Sequence, residues 1–242
     1  MGDERIEPTD LAHEVETGTG VLELPLARRV LAEGLGTGLL VVAVVGSGIM
    51  GQRLAGGQPG LALLANSIAT GGALVGLILM MGAVSGAHLN PVVTLVDRAF
   101  GSIPARDAVA YVCAQIVGAC LGAVLANYMF GFPPIDPSTT TRSSPEHWVS
   151  EVVATVGLLL VIHGCVRTGR ARAVPFAVAA WITGAYWFTS STSFANPAVT
   201  IARSLTNTFS GIAPSSVPAF VAAQLVGAAI AYVFIRALYP NP

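Results

Sequence analysis

The sequence predicts an all-α membrane protein in which six transmembrane helices and two re-entrant half-helices form an inverted internal repeat. Three observations predict it. Of the 242 residues, 53% are hydrophobic and only 10% charged, and mean hydropathy is +0.70. A soluble domain carries roughly a quarter charged residues. Six apolar runs approach the roughly 20 residues that a membrane helix needs. Finally, one short phrase occurs twice, as Ser85-Gly-Ala-His88-Leu-Asn90-Pro91-Val92-Val93-Thr94 and as Thr192-Ser-Phe-Ala-Asn196-Pro197-Ala198-Val199-Thr200.

The first 24 residues contain seven acids and few large apolar side chains, so residues 1–25 read as an acidic, disordered cytoplasmic tail. The apolar run behind it is too long, and its flank too acidic, for a cleaved signal peptide. The first repeat, 26–130, holds spans near 27–50, 61–84 and 107–130 and a half-helix at 91–99. An extracytoplasmic connecting loop covers 131–147. The second repeat, 148–239, holds spans near 148–168, 173–190 and 216–238 and a half-helix at 197–206. Asn is a strong N-cap and Pro is favoured at the first helical position, so each Asn-Pro pair starts a helix abruptly. At 1.5 Å per residue such a piece covers about half of a ~30 Å hydrocarbon core.

The repeat extends beyond the Asn-Pro pairs. Tyr111-Val-Cys-Ala-Gln115-Ile-Val-Gly118-Ala matches Phe220-Val-Ala-Ala-Gln224-Leu-Val-Gly227-Ala, and Glu33-Gly-Leu-Gly-Thr pairs with Glu151-Val-Val-Ala-Thr. Three spans per half is an odd number, so the halves enter the membrane from opposite sides and their half-helices meet near the midplane. All twelve basic residues are Arg. With the N-terminus inside, nine fall on the cytoplasmic side and three (Arg53, Arg142, Arg203) outside, as the positive-inside rule requires.

Other functions are disfavoured. No basic stripe or phosphate loop of the GxxxxGK type points to nucleic acid or nucleotide. Cys113, Cys120 and Cys165 lie inside apolar runs and read as small buried hydrophobes. Histidines without nearby Cys or Asp partners suggest no metal site, and no nucleophile–base set suggests an enzyme. No cofactor is implied.

The two Asn-Pro boxes, the Glu in spans one and four and the Gln in spans three and six resemble the aquaporin family, also called the major intrinsic proteins. The resemblance covers about 27–238. It implies a homotetramer in the lipid bilayer, in which each subunit carries its own pore for small neutral solutes. Asn90 and Asn196 would meet at the midplane and offer amide donors to a passing hydroxyl, each box completed by Pro91 and Val92 or Pro197 and Ala198. Val92 departs from the commoner Ala. Glu33 and Glu151 would accept from backbone N–H groups of the two re-entrant loops, and Gln115 and Gln224 would bond between spans. His88 either lines the cytoplasmic part of the pore or anchors its loop, and His163 reads as a buried histidine rather than a ligand.

The family narrows its pore outside the Asn pair at four positions, which by fixed offsets are Thr70, Gly184, Ser193 and Val199. The last is usually Arg. Valine offers neither donors nor charge, so the resemblance implies a wide, uncharged, hydroxyl-bearing filter. Arg203, one turn beyond Val199, either reaches back toward that filter or anchors the outer loop. The run from Asn196 to Arg203 is similar to the aquaporin branch found with bacterial arsenic-resistance systems. The implied function is a passive channel for arsenous acid and related metalloid acids, glycerol, urea and water in a bacterial plasma membrane, with both termini cytoplasmic. A water- or glycerol-selective pore is the alternative, and a secondary active transporter a further one.

Overall fold

A computed structural model describes residues 24–239, so the acidic tail lies almost wholly outside the described residues. The described residues form eight α-helices: α1 Leu26–Leu54, α2 Pro59–Ser85, α3 Pro91–Ala99, α4 Ala105–Met129, α5 Pro145–Arg167, α6 Val174–Phe188, α7 Pro197–Arg203 and α8 Val217–Leu238. Proline opens α2, α3, α5 and α7, where its missing N–H costs nothing. Helix α2 ends at Gly86, whose φ of 87° supplies the left-handed C-cap.

Five of the long helices have the length and apolar character of membrane spans. Helix α6 is the exception. With 15 residues it is about 22 Å long, and a 3-10 turn at Ala171–Ala173 precedes it. The second half-helix stops at Arg203 rather than near 206. There Ser204 and Leu205 tighten into i→i−3 bonds on Ile201 and Ala202, and their own carbonyls accept from Ser138 and Asp136 of the outer loop. Pairing with that loop ends the helix.

The two halves pack alike. Helix α1 lies on α4 as α5 lies on α8, and α2 meets α6 between them. The half-helices cross over, so that α3 also packs on α8 and α7 on α4. The α1–α4 contact is backbone on backbone. A Cβ at Gly118 would collide with the carbonyl of Gly34, and one at Gly38 would sit 2.9 Å from the Gly118 oxygen. Close approach through small residues is how helices associate in lipid, where burial of apolar surface supplies little. Gly118→Ala is therefore expected to lower stability by about 1–3 kcal/mol, despite alanine's helix preference of about 1 kcal/mol. Thermal melting in detergent checks this against Gly72→Ala, whose added Cβ meets nothing within 4 Å.

Candidate functional site: a transmembrane cavity between two half-helices

The re-entrant loops before α3 and α7 hold a backbone that L-residues avoid. Ala87 and Leu89 in one loop, and Thr192, Ser193 and Ala195 in the other, have φ between 46° and 61°. Each such residue costs on the order of 1–3 kcal/mol and persists only where its surroundings enforce it. Two buried carboxylates do so. Glu33 accepts from the N–H groups of His88 (3.0 Å) and Leu89 (2.7 Å), the hydroxyl of Ser85 (2.6 Å) and the amide of Gln115 (2.8 Å). Glu151 accepts from Phe194 (2.9 Å), Ala195 (2.8 Å), Ser191 (2.7 Å) and Gln224 (2.6 Å). Both are fully buried, and a carboxylate is the group that can accept four such bonds at once.

Gln115 and Gln224 also donate to Thr94 and Thr200, whose hydroxyls bond back to the carbonyls of Asn90 and Asn196. Ser85, Ser191, Thr94 and Thr200 thus belong to the scaffold and were not singled out from sequence. Their signal was present, since both copies of the motif carry Ser five positions before the Asn and Thr four after it.

The two asparagines are stapled to each other's loop. Asn90 Nδ2 donates to the Ala195 carbonyl and Asn196 Nδ2 to the Leu89 carbonyl, each at 2.8 Å. Their Oδ1 atoms cap the half-helices, accepting from Val92 (3.1 Å) and from Ala198 (3.0 Å) and Val199 (3.3 Å). An amide nitrogen carries two hydrogens, and the bonds to the Ala195 and Leu89 carbonyls use one on each Asn. Both residues line a cavity of about 1890 Å3, which extends from Arg29 and Arg236 at one end past the Asn pair to Phe194 and Arg203 at the other. Pro91, Val92, Pro197 and Ala198 are buried behind them, outside the cavity lining.

At the Arg203 end, Thr70, Ser193 and Val199 line the cavity together. Thr70 Oγ1 lies 3.2 Å from the phenol of Tyr186, whereas the buried Ser193 hydroxyl has no partner. Gly184 is not part of the lining. A Cβ there would point at Phe188, 3.6 Å away, and Phe188 is exposed on the outer face of the bundle. The lining residues of α6 are Val174, Val178, Ile182 and Tyr186, four apart and so on one helix face, together with Pro175 at its first turn. Gly184 is two residues from that row, about 200° around the axis. The fixed offset therefore misplaced this position, and an aromatic phenol stands where a glycine was expected.

Arg203 also lines the cavity, so the opening is not free of charge as expected. Its guanidinium stacks on Phe194, 3.4 Å from the ring centroid, and its Nε donates to the Ser210 carbonyl. Arg142 approaches the same ring at 5.5 Å and donates to the Gly211 carbonyl. Burial lowers the Arg142 guanidinium from its ordinary pKa, with Glu151 and Tyr186 acting in the opposite sense. Arg203 thus ties down the outer segment and borders the cavity.

At the opposite end His88 lines the cavity and is also anchored, Nδ1 to Thr94 Oγ1 at 3.0 Å and Nε2 to Asp97 at 2.9 Å. Among the described residues no group of His, Cys, Asp or Glu is placed to hold a metal ion.

A cavity threading an apolar helical bundle, walled mostly by apolar side chains with two half-helix N-termini and their asparagines at its centre, has the form of a membrane channel. Residues 21–189 match the major intrinsic protein family, and the chain belongs to that family of channels. It is 54% identical over 214 residues to aquaglyceroporin AqpS of Rhizobium meliloti, covering 88% of this chain and 91% of that one. It is 32% identical over 232 residues to aquaporin Z of Bradyrhizobium diazoefficiens, covering 89% and 95%. The crystal structure of the aquaglyceroporin from Plasmodium falciparum superposes with a TM-score of 0.73 at 20% identity, covering 88% of this chain and 97% of that one. That last likeness concerns the fold.

Proposed function

We propose that this protein is a passive channel for small uncharged solutes larger than water, with the polyhydroxyl molecules arsenous acid and glycerol, and the amide urea, as cargo and water passing too. The observation that carries this reading is Val199 at the cavity wall, directly behind the second Asn-Pro-Ala. Arg there would fill the opening and supply fixed donors, whereas Val leaves room. In this reading Thr70, Tyr186, Ser193 and Val199 form the outer constriction. The free Ser193 hydroxyl offers a hydrogen bond to a solute, and Arg203 with the two half-helix N-termini opposes cations. The likeness to a protein named an aquaglyceroporin supports the choice of solute class. The reading places the chain as a homotetramer in a bacterial plasma membrane with both termini in the cytoplasm, an orientation supported by its Arg distribution.

Stopped-flow light scattering on proteoliposomes tests the class of cargo. Glycerol and water permeability should both exceed those of protein-free vesicles, and a protonophore should change neither. Water flux alone would indicate a water-selective pore, and collapse with the protonophore would indicate coupled transport.

A further inference from the structure

One polar cluster in the cavity belongs neither to the Asn pair nor to the outer constriction. At the mouth where α1 begins, Asp97 of α3 faces two imidazoles. His88 Nε2 lies 2.9 Å from one carboxylate oxygen, and His163 Nε2, from α5, lies 3.5 Å from the other. The first contact is a hydrogen bond by distance and the second is too long for one. His163 Nε2 is buried and makes no hydrogen bond. All three side chains line the cavity.

Folding alone does not account for this arrangement. Asp97 sits in the last turn of α3, where the helix dipole disfavours an anion, a cost that the nearby Arg167 and the imidazoles offset. A buried polar nitrogen without a partner costs about 1–3 kcal/mol. His88 has both ring nitrogens engaged, so it positions the carboxylate and offers nothing further. What remains is a carboxylate oxygen beside an imidazole nitrogen, an acceptor next to a group that can donate or accept according to its tautomer.

We propose that Asp97 and His163 form a binding station for a neutral polyhydroxyl solute at this mouth of the pore, engaging its hydroxyls before or after the Asn pair does. This rests on the channel reading above and adds a second recognition point to it. A triol or a metalloid trihydroxide can place one hydroxyl on the carboxylate and another on the imidazole while a third meets the next partner. Water has a single oxygen and passes such a station with little discrimination.

The test uses glycerol as probe, in proteoliposomes carrying the full chain or the variants His163→Phe, His163→Gln and Asp97→Asn. Loss of one such hydrogen bond should lower glycerol flux at low concentration by about five- to tenfold and raise the half-saturating concentration. Water permeability should stay within about twofold, because the wall is otherwise intact. Glutamine at 163 restores a donor and acceptor and should recover most of the flux. Unchanged glycerol flux in His163→Phe would overturn the station, as would equal loss of glycerol and water, which marks a gate or a folding defect. His163→Phe breaks no hydrogen bond, so it decides the matter even if Asp97→Asn fails to fold. Absence of glycerol flux in the unaltered protein would overturn the channel reading itself, and the station with it.

Discussion

Glu151→Ala is expected to leave no stably folded channel. The carboxylate accepts from two backbone N–H groups, Ser191 and Gln224. Removing it strands four buried donors, each at about 1–3 kcal/mol. The left-handed residues Ser193 and Ala195 lose the bonds that hold their loop. The loss, on the order of 4 kcal/mol or more, is a large part of a typical folding free energy of 5–15 kcal/mol. Size-exclusion in detergent and thermal melting would show aggregation or a strongly lowered transition. Glu33→Ala should behave alike, because Ser85, His88, Leu89 and Gln115 depend on it in the same way. Glu151→Gln should be milder, since one oxygen still accepts. Wild-type melting of either alanine variant would mean that the loops are held by something else.

Val199→Arg should have the largest effect on transport. The residue stands at the cavity wall beside Ser193, Thr70 and Tyr186, so a guanidinium there would occupy the opening. Glycerol permeability should fall about tenfold or more, a barrier increase of about 1.4 kcal/mol, while water loses only a few-fold. A second cation one turn from Arg203 also repels it, so the melting transition should be measured in parallel. Val199→Leu adds bulk without charge and should give a smaller, purely steric reduction. Equal glycerol flux in all three proteins would remove Val199 from the constriction.

Much of this architecture was readable because the chain repeats itself. An Asn-Pro pair beside an apolar run is ambiguous once, but its recurrence with matched Glu and Gln residues points to a two-fold device. Glu33 and Glu151 are intramembrane acids, which are expensive and so seldom idle. Gly184 was misplaced for a different reason. An offset counted along the chain assumes a loop of fixed length, whereas the pore-facing side of α6 is set by helix rotation, which brings Tyr186 round instead. The dual role of Arg203 depended on Phe194 and the Ser210 carbonyl, neither of which helical spacing alone could place. The Asp97–His163 pair joins residues from opposite halves of the chain, and no local pattern announces it.

The most direct test of the proposed function is the arsenous acid permeability of proteoliposomes at neutral pH, without any ion gradient, compared with water in the same vesicles. A passive pore opened by Val199 predicts arsenous acid entry at least about tenfold faster than into protein-free vesicles, in step with glycerol. Rapid water flux with arsenous acid entry at the level of empty vesicles would contradict it.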